Sequence, residues 1–301
     1  MGEPAVTDTQ HPDPTRTAWI AAMPAVFVVL WSTGFIGAKL GLPYAEPFTF
    51  LLVRFVAVIA LLTVIAIVFR APWPATRAEI GHGAVVGVLV HAVYLGGVFA
   101  AISRGVPPAV AALIVGLQPL LTAAAAGPFL GERVTARQWL GLLIGLAGVA
   151  LVVWEKLSFR TEHLAGIAFA VAALIGITVG TLYQKRHVGG MDLRTGAIVQ
   201  FAAAALVMLP AALLFETMDI VWTGEFVFAL GWLVIVLSLG AITLLYIMIR
   251  RGAAAKVASL FYLVPPVTAV FAFALFGETL GVLALFGMAL AALAVALVTR
   301  G

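Results

Sequence analysis

Two stretches of the sequence decide how the chain is organised. Residues 105–119 read GVPPAVAALIVGLQP, and residues 252–266 read GAAAKVASLFYLVPP. Gly105 aligns with Gly252, and Pro119 with Pro266, at one offset of 147 residues, with small and apolar residues between them. Internal symmetry of this kind indicates that the chain is built from two related halves.

Further matches extend the repeat in both directions at an offset of 146 residues. The matching pairs are Gly34 and Gly180, Lys39 and Lys185, Phe55 and Phe201, Gly131-Glu132 and Gly277-Glu278, and Gly141 and Gly287. This ordered series favours a duplication over chance similarity in an Ala- and Leu-rich chain. We therefore predict a first half at 19–154 and a second at 155–301, after a disordered cytoplasmic tail at 1–18.

The composition indicates that these halves lie in a membrane. Hydrophobic residues make up 63% of the chain and charged residues 10%, and the mean hydropathy is +1.16. A soluble domain has about a quarter charged residues, and a membrane-spanning helix needs about 20 apolar residues. The sequence predicts an all-α membrane protein with ten transmembrane helices, at 19–40, 47–69, 80–103, 108–127, 136–154, 164–185, 194–215, 227–249, 254–276 and 281–299.

The helix count and the charges together predict the topology. Five helices per half is an odd number, so the second half enters the membrane from the opposite side, which gives two inverted five-helix repeats. With the N-terminus inside, twelve Lys and Arg residues lie at inner ends and four at outer ends. The positive-inside rule therefore predicts that both termini are cytoplasmic.

The remaining composition excludes several kinds of partner. The net charge is +4, but the basic residues are scattered, so we expect no nucleic acid partner. The chain has no cysteine, which excludes a thiolate metal site. We expect no cofactor and no metal, and a monomer whose partners are the lipid bilayer and a small-molecule substrate.

Several motifs resemble those of EamA-type members of the drug/metabolite transporter superfamily. They are Trp31-Ser-Thr-Gly-Phe, Lys39, Pro47, Leu52-Val-Arg54-Phe55, Pro108-Ala-Val-Ala-Ala-Leu, Gln118-Pro119, Phe129-Leu-Gly-Glu132, Gly141 to Val149, Leu263-Val-Pro-Pro-Val267 and Leu275-Phe-Gly-Glu278. The resemblance implies ten helices in inverted repeats and export of amino acids or other small metabolites across the bacterial inner membrane. The first half has Gln118-Pro119 where the second has Pro265-Pro266, so we expect the halves to contribute unequally to a site.

Arg54 is the strongest single candidate for substrate binding. It lies seven residues after Pro47, about 10 Å below the outer face. A charge at that depth costs about 2–3 kcal/mol or more unless it snorkels or is paired. Two interpretations stay open: an anchor or interhelical clamp, and a group that attracts a substrate carboxylate.

Other polar and aromatic residues within the spans are candidates to line a substrate cavity. His91 and Tyr94 are three residues apart and share a helix face. The His91 imidazole is expected either to line an aqueous cavity or to hydrogen-bond a neighbouring helix. The other candidate binding residues are Trp31, Gln118, Tyr183, Gln184, Tyr246, Ser259 and Tyr262. For the aromatic members, an interfacial belt is the competing interpretation.

Prolines and glycines within the spans predict bends and close packing. Pro119, Pro265 and Pro266 fall in the middle of spans, and each is expected to leave the carbonyl four residues earlier without its helical hydrogen bond. The resulting kink could line a cavity or act as a gate, or the free carbonyl could simply be satisfied by packing against Ser or Thr. The glycines at 83 and 87 and at 141, 145 and 148 predict close contacts between helices of the same chain. Glu132 and Glu278 are expected to complement the N-terminus of the helix that follows each of them.

The positions of the carboxylates favour transport without a proton relay through Asp or Glu. All 13 Asp and Glu residues lie in the tail, in loops or at the ends of spans. The leading hypothesis is an alternating-access exporter of amino acids or similar zwitterions, by facilitated flux or exchange. The alternatives are a drug or nucleotide-sugar carrier, a passive channel and a membrane-embedded enzyme such as a lipid phosphatase. The enzyme is disfavoured because no acid, base and phosphate-binding residues cluster at one depth.

Overall fold

The computed structural model describes residues 14–154, 164–277 and 281–300, and ten helices follow one another through them. They are α1 (Pro14–Gly41), α2 (Pro47–Val68), α3 (Arg77–Ser103), α4 (Pro108–Val115 and Gln118–Leu130), α5 (Ala136–Val153), α6 (Leu164–His187), α7 (Leu193–Phe215), α8 (Gly224–Arg251), α9 (Ala254–Ser259, a 3₁₀ turn at Leu260–Leu263, and Val264–Phe276) and α10 (Val282–Arg300). Each corresponds to one predicted span. Within the described residues, nine helices are long and apolar enough to cross a membrane, and α5 is a shorter apolar helix over Ala136–Leu151.

The ends of the chain define two faces of the bundle. Ten helices that alternate in direction bring the start of α1 and the end of α10 to one face, which we call the terminal face; the other is the opposite face. The first helix begins at Pro14, five residues before its predicted start, and residues 1–13 of the predicted tail lie outside the described residues. So do residues 155–163, where the second half was predicted to begin, and Glu278.

The two halves share unusual helical geometry at equivalent positions, which confirms the two-repeat architecture. In α3 a π-helical segment runs from Gly87 to Leu95, and in α8 another runs from Leu233 to Ala241, at the offset of 146 residues. The breaks in α4 and α9 are equivalent in the same way. π-Helical segments are rare and often occur at functional sites.

Pro119, Pro265 and Pro266 follow breaks in the helical hydrogen bonding of α4 and α9, so the irregularity expected in these spans lies in the turns before the prolines. The first piece of α4 ends at Val115, and Pro119 lies in the first turn of the second piece. Pro265 and Pro266 lie in the first turn of Val264–Phe276 in the same way. In a first turn the missing N–H has no helical partner to lose, so proline starts a helix there without strain. Their role in gating stays a prediction.

Glycines allow the helices of the two halves to approach closely. A Cβ on Gly148 of α5 would lie 2.7 Å from the carbonyl oxygen of Gly287 in α10. A Cβ on Gly87 of α3 would overlap the backbone of Gln200 in α7. These contacts lie within one chain, as predicted, and they join the first half to the second.

Carboxylates at the opposite face tie the loop after α1 to the loop after α7. The side chain of Glu216 accepts the backbone N–H groups of Phe48 and Thr49 at 2.7 and 2.6 Å, which caps α2. Glu46 accepts the N–H of Thr217 at 2.7 Å. Nearby, the Tyr44 phenol donates to Glu225 at 2.6 Å, and this hydrogen bond raises the pKa of Tyr44 above its ordinary value.

Candidate functional site

Arg54 is a buried cation whose hydrogen-bond partner in the described part of the chain is neutral. It lies on α2, about 10 Å from the opposite face, and is 2% exposed. Its Nε and Nη2 donate to the Ser238 hydroxyl at 3.2 and 3.0 Å, and that hydroxyl donates to the Leu233 carbonyl at 3.1 Å. Ser238 lies in the π-helical segment of α8. The second half therefore positions the guanidinium through a hydroxyl, which leaves its positive charge without an ionic partner among the described residues.

A small cavity of about 30 Å³ adjoins this guanidinium. Its lining comes from four helices: Trp31, Gly34 and Phe35 of α1, Arg54 of α2, Tyr94, Leu95, Val98 and Phe99 of α3, and Leu237 and Ile242 of α8. Except for the guanidinium, the indole N–H and the phenol, the lining is apolar. The structure thus brings three of the predicted residues, Trp31, Arg54 and Tyr94, to one cavity.

The aromatic side of the cavity is held in place by stacking and a hydrogen bond. The Trp31 and Tyr94 rings are stacked with centroids 6.1 Å apart and planes 14° apart, and the indole N–H donates to the Tyr94 hydroxyl at 3.2 Å. Phe261 of α9 meets the Trp31 ring edge to face at 5.2 Å. Tyr94 lies in the π-helical segment of α3, so both π-helical segments contribute a polar residue to this site.

His91 lies beside the cavity but does not line it. Its ring stacks on Phe201 at 4.1 Å, close to Phe55, and both ring nitrogens are buried without a hydrogen-bond partner among the described residues. The side chain therefore packs on a neighbouring helix through its ring, and neither the cavity lining nor the interhelical hydrogen bond predicted for it occurs among the described residues.

A second polar group lies nearer the terminal face. The Tyr246 hydroxyl donates to Gln200 Oε1 at 2.7 Å, and Gln200 Nε2 donates to Gln184 Oε1 at 3.2 Å. Gln200 is the repeat equivalent of Arg54, and both are hydrogen-bonded to α8. Two candidates, Gln184 and Tyr246, are thus linked through Gln200 in a neutral hydrogen-bond network.

The other candidates lie away from both groups. Gln118 Nε2 donates to Thr181 at 3.4 Å, and the Ser259 hydroxyl donates to the Lys256 carbonyl at 2.8 Å. The Tyr262 ring packs against Gly145 of α5, and its buried hydroxyl has no hydrogen-bond partner within the described part of the chain. Near the terminal face, the Tyr183 hydroxyl and His82 Nδ1 share a hydrogen bond of 2.7 Å.

A charged contact joins the two halves at the terminal face, and we call it the latch. It consists of Glu132, Lys185 and the backbone at Gly252 and Ala254. Lys185 pairs with Glu132 and donates to the Gly252 carbonyl at 2.6 Å, while Glu132 accepts the Ala254 N–H at 3.0 Å. Glu132 therefore caps α9, and the prediction that it complements the helix that follows it, α5, is wrong. Thr135 caps that helix in a capping box with Gln138, which leaves the carboxylate free for the other half.

No described carboxylate lies at the depth of the cavity. The seven in the described part of the chain are Glu46, Glu79, Glu132, Asp192, Glu216, Asp219 and Glu225, at helix ends or in loops. Asp192 caps α7, and its hydrogen bond from Arg194 lowers the pKa of Asp192. Among the described residues, no three His, Asp or Glu side chains are grouped to hold a metal ion.

The site residues that sequence reasoning missed belong mainly to the second half. Ser238 is one serine in an apolar run, and no sequence signal places it opposite Arg54. Lys185 and Glu132 were noted as repeat and cap residues, but not as partners. A search for polar residues of the two halves that lie at equal membrane depths could have paired Arg54 with Ser238 of α8, because inverted repeats form their site at the interface between the halves.

Comparison with known proteins agrees with this geometry. The model of the EamA-like transporter family matches the chain twice, over residues 18–154 and 164–300. The chain is 28% identical over 277 residues to the uncharacterized inner membrane transporter YedA of Escherichia coli (strain K12), covering 91% of this chain and 88% of that protein. It is 32% identical over 197 residues to a probable terminal-alkyne amino-acid exporter of Streptantibioticus cattleyicolor, covering 65% of each.

A crystal structure shares the fold. It is 22% identical to the chain, with a TM-score of 0.75, and the match covers 94% of this chain and 97% of that one. Two matches to one family model also agree with the equivalent π-helical segments and helix breaks in the two halves. The chain therefore belongs to the EamA-like transporter family and is a membrane transporter.

Proposed function

We propose that this transporter exports amino acids or similar small metabolites that carry a carboxylate across the bacterial inner membrane, with both termini cytoplasmic. The observation that carries the proposal is the Arg54 guanidinium, which is buried beside a cavity with a hydroxyl as its partner. A buried charge is stable when an opposite charge or several hydrogen bonds compensate it. A substrate carboxylate would supply that compensation through charge-assisted hydrogen bonds. The amino-acid exporter among the similar proteins supports the same substrate class.

We further propose that transport proceeds by alternating access without a carboxylate proton relay. The seven described carboxylates lie at the two faces, so none adjoins the cavity as a proton carrier. The latch joins both halves at the terminal face, and breaking it would open a path to the cavity from that side. The loops held by Glu46 and Glu216 give a corresponding contact at the opposite face.

The same charge distribution argues against the other substrates considered. A carrier of cationic drugs needs an anion near its cavity, and the lining supplies a cation. A nucleotide sugar is much larger than an amino acid and carries two phosphates, which one arginine would compensate incompletely.

Counterflow in proteoliposomes tests the proposal. Vesicles loaded with an unlabelled amino acid should accumulate the same radiolabelled amino acid through a carrier, whereas a passive channel gives no accumulation. Arg54→Gln keeps a group that can bond Ser238 but removes the charge, and it should lower the initial rate at least tenfold. Arg77→Ala removes an exposed arginine at the start of α3 and should leave the rate unchanged. If no amino acid in a panel accumulates, or if Arg54→Gln transports like wild type, the proposed function is wrong.

A further inference from the structure

We infer that the cavity recognises the carboxylate and the apolar part of its substrate but not the ammonium group, so that apolar monocarboxylates without an α-amino group are substrates as well. This inference rests on the proposed function, because it requires that Arg54 bind the carboxylate. It concerns the rest of the cavity, where an amino acid would need a second, oppositely charged contact.

The lining of the cavity offers no anion to an ammonium group. Among its described residues are one cation, Arg54, two aromatic residues with polar atoms, and otherwise apolar side chains. The described carboxylates are engaged or exposed at the two faces, as Glu216 and Glu132 illustrate. The other six of the 13 Asp and Glu residues lie outside the described residues, and the sequence places them in the tail, in the loop after α5 and at the end of α9.

Neutral acceptors for an ammonium group are few in the cavity. The Ser238 hydroxyl accepts two N–H groups of Arg54 and donates to a carbonyl, which uses its full capacity. The Tyr94 hydroxyl accepts the indole N–H and keeps one neutral lone pair, which compensates an ammonium charge far less than a carboxylate would. Broken helices could offer free carbonyls, but the breaks at 116–117 in α4 and at 260–263 in α9 contribute no residue to the lining. The stacked rings of Trp31 and Tyr94 face each other, which removes one face of each from cation–π contact.

The guanidinium itself disfavours an ammonium group at the same end of the substrate. In an α-amino acid the two charged groups are separated by one carbon atom, so a carboxylate bound to Arg54 brings the ammonium within a few Å of the guanidinium. Like charges repel more strongly in a buried site than in water. Removing the amino group removes this repulsion and also the desolvation of the ammonium, while the apolar contacts stay the same.

Binding of three matched ligands to the purified full-length protein tests the inference. The ligands are L-leucine, 4-methylpentanoate, which lacks the amino group, and 3-methylbutylamine, which lacks the carboxylate; L-phenylalanine, 3-phenylpropionate and phenethylamine form a second series. In isothermal titration calorimetry in detergent, the Kd of the desamino acid should be at most about threefold higher than the Kd of the amino acid. The amine should not bind. Arg54→Gln should weaken both carboxylates at least tenfold, and Arg77→Ala should not.

The outcomes separate this inference from the proposed function. If an amino acid binds more than threefold more tightly than its desamino analogue and Arg54→Gln weakens it, the carboxylate site stands but the inference is overturned. If the amine binds as tightly as the amino acid, the cavity recognises ammonium and the inference is again overturned. If no carboxylate of either series binds, the proposed function fails and this inference with it.

Discussion

Glu132→Gln removes the negative charge of the latch and keeps an oxygen that can accept the Ala254 N–H. Glu132 is the first-half member of the latch, and Lys185, Gly252 and Ala254 are the second-half members. If the latch holds the terminal face closed, the variant should shift the equilibrium toward a state that is open on that side. A latch that only stabilises the fold would lower stability without exposing the interior.

The structure gives the size of this shift. The side chains of Lys185 and Glu132 are 22% and 19% exposed, so the pair is neither at the surface nor fully buried. Exposed pairs contribute about 0–1 kcal/mol, and removing one partner of a buried pair costs about 3–5 kcal/mol. The intermediate burial suggests about 2 kcal/mol. Since about 1.4 kcal/mol corresponds to a factor of ten, the open fraction should rise about 30-fold.

Thiol labelling can measure this change directly, because the natural sequence has no cysteine. Ala258 is 4% exposed in α9 and lines a small cavity near the latch with Gln118 and Thr181. In an Ala258→Cys background, the maleimide labelling rate in detergent should follow the open fraction and rise about 30-fold with Glu132→Gln. Lys185→Met should give a similar increase, and the double variant should add little to it. Glu79→Gln, in the capping box of α3 at the same face, should change the rate less than twofold.

An increase of less than threefold in the labelling rate, with the protein still folded, would refute the role of the latch as a gate. Equal effects of Glu132→Gln and Glu79→Gln would do the same, because they would reflect a general loosening of the terminal face. Additive effects of the Glu132 and Lys185 variants would show that the two residues do not act as a pair.

Three other substitutions test the packing and the charges. Gly97→Ala would place a Cβ 2.5 Å from a backbone oxygen of α6, so thermal unfolding in detergent should show a loss of about 1–3 kcal/mol in stability. As a control, a Cβ on Gly81 would meet no described atom within 4 Å, so Gly81→Ala should be neutral or stabilising. Equal effects of the two substitutions would contradict the close approach of α3 and α6. Tyr94→Phe leaves a buried indole N–H without its acceptor and should cost about 1–3 kcal/mol in the same assay; an unchanged unfolding midpoint would show that this hydrogen bond is dispensable. The pKa of Asp192 is lowered by its hydrogen bond from Arg194, so its stabilisation is present above the unfolded-state pKa and is lost as the pH falls through the folded-state pKa. Asp192→Asn should therefore cost up to about 1 kcal/mol at pH 7 and progressively less below pH 4; a cost that grows on acidification would contradict this sign.

Much of the fold could be predicted from the sequence because the physical signals are long. Each span carries about 20 apolar residues, and the repeat places Gly, Lys and Phe pairs at one offset, so ten helices in two inverted halves follow without tertiary information. Helix ends were less predictable. Pro119 was expected to bend α4, but the chain stops the helix at Val115 and starts a new one, because proline fits a first turn better than an interior.

The site was predictable only where a residue is unusual by itself. Arg54, Trp31 and Tyr94 are charged or aromatic residues inside apolar spans, and they meet at the cavity. His91 is equally unusual, but its ring turned toward Phe201. Partners are harder to predict, since Ser238 is ordinary in sequence and is defined by its position opposite the guanidinium. The π-helical segments that aim Tyr94 and Ser238 also leave no sequence pattern that distinguishes them from α-helix.

The charge of Arg54 is the central element of the proposed mechanism, and two variants separate it from hydrogen bonding. Arg54→Lys keeps a positive charge at the cavity, whereas Arg54→Gln keeps polar contact with Ser238 but is neutral. In L-leucine counterflow, Arg54→Lys should retain a measurable fraction of the wild-type rate, and Arg54→Gln should lose about 100-fold in kcat/KM, or about 2.7 kcal/mol of binding to a charged group. Equal rates for Arg54→Gln and wild type would contradict the account, because the substrate would then need no positive charge in the cavity.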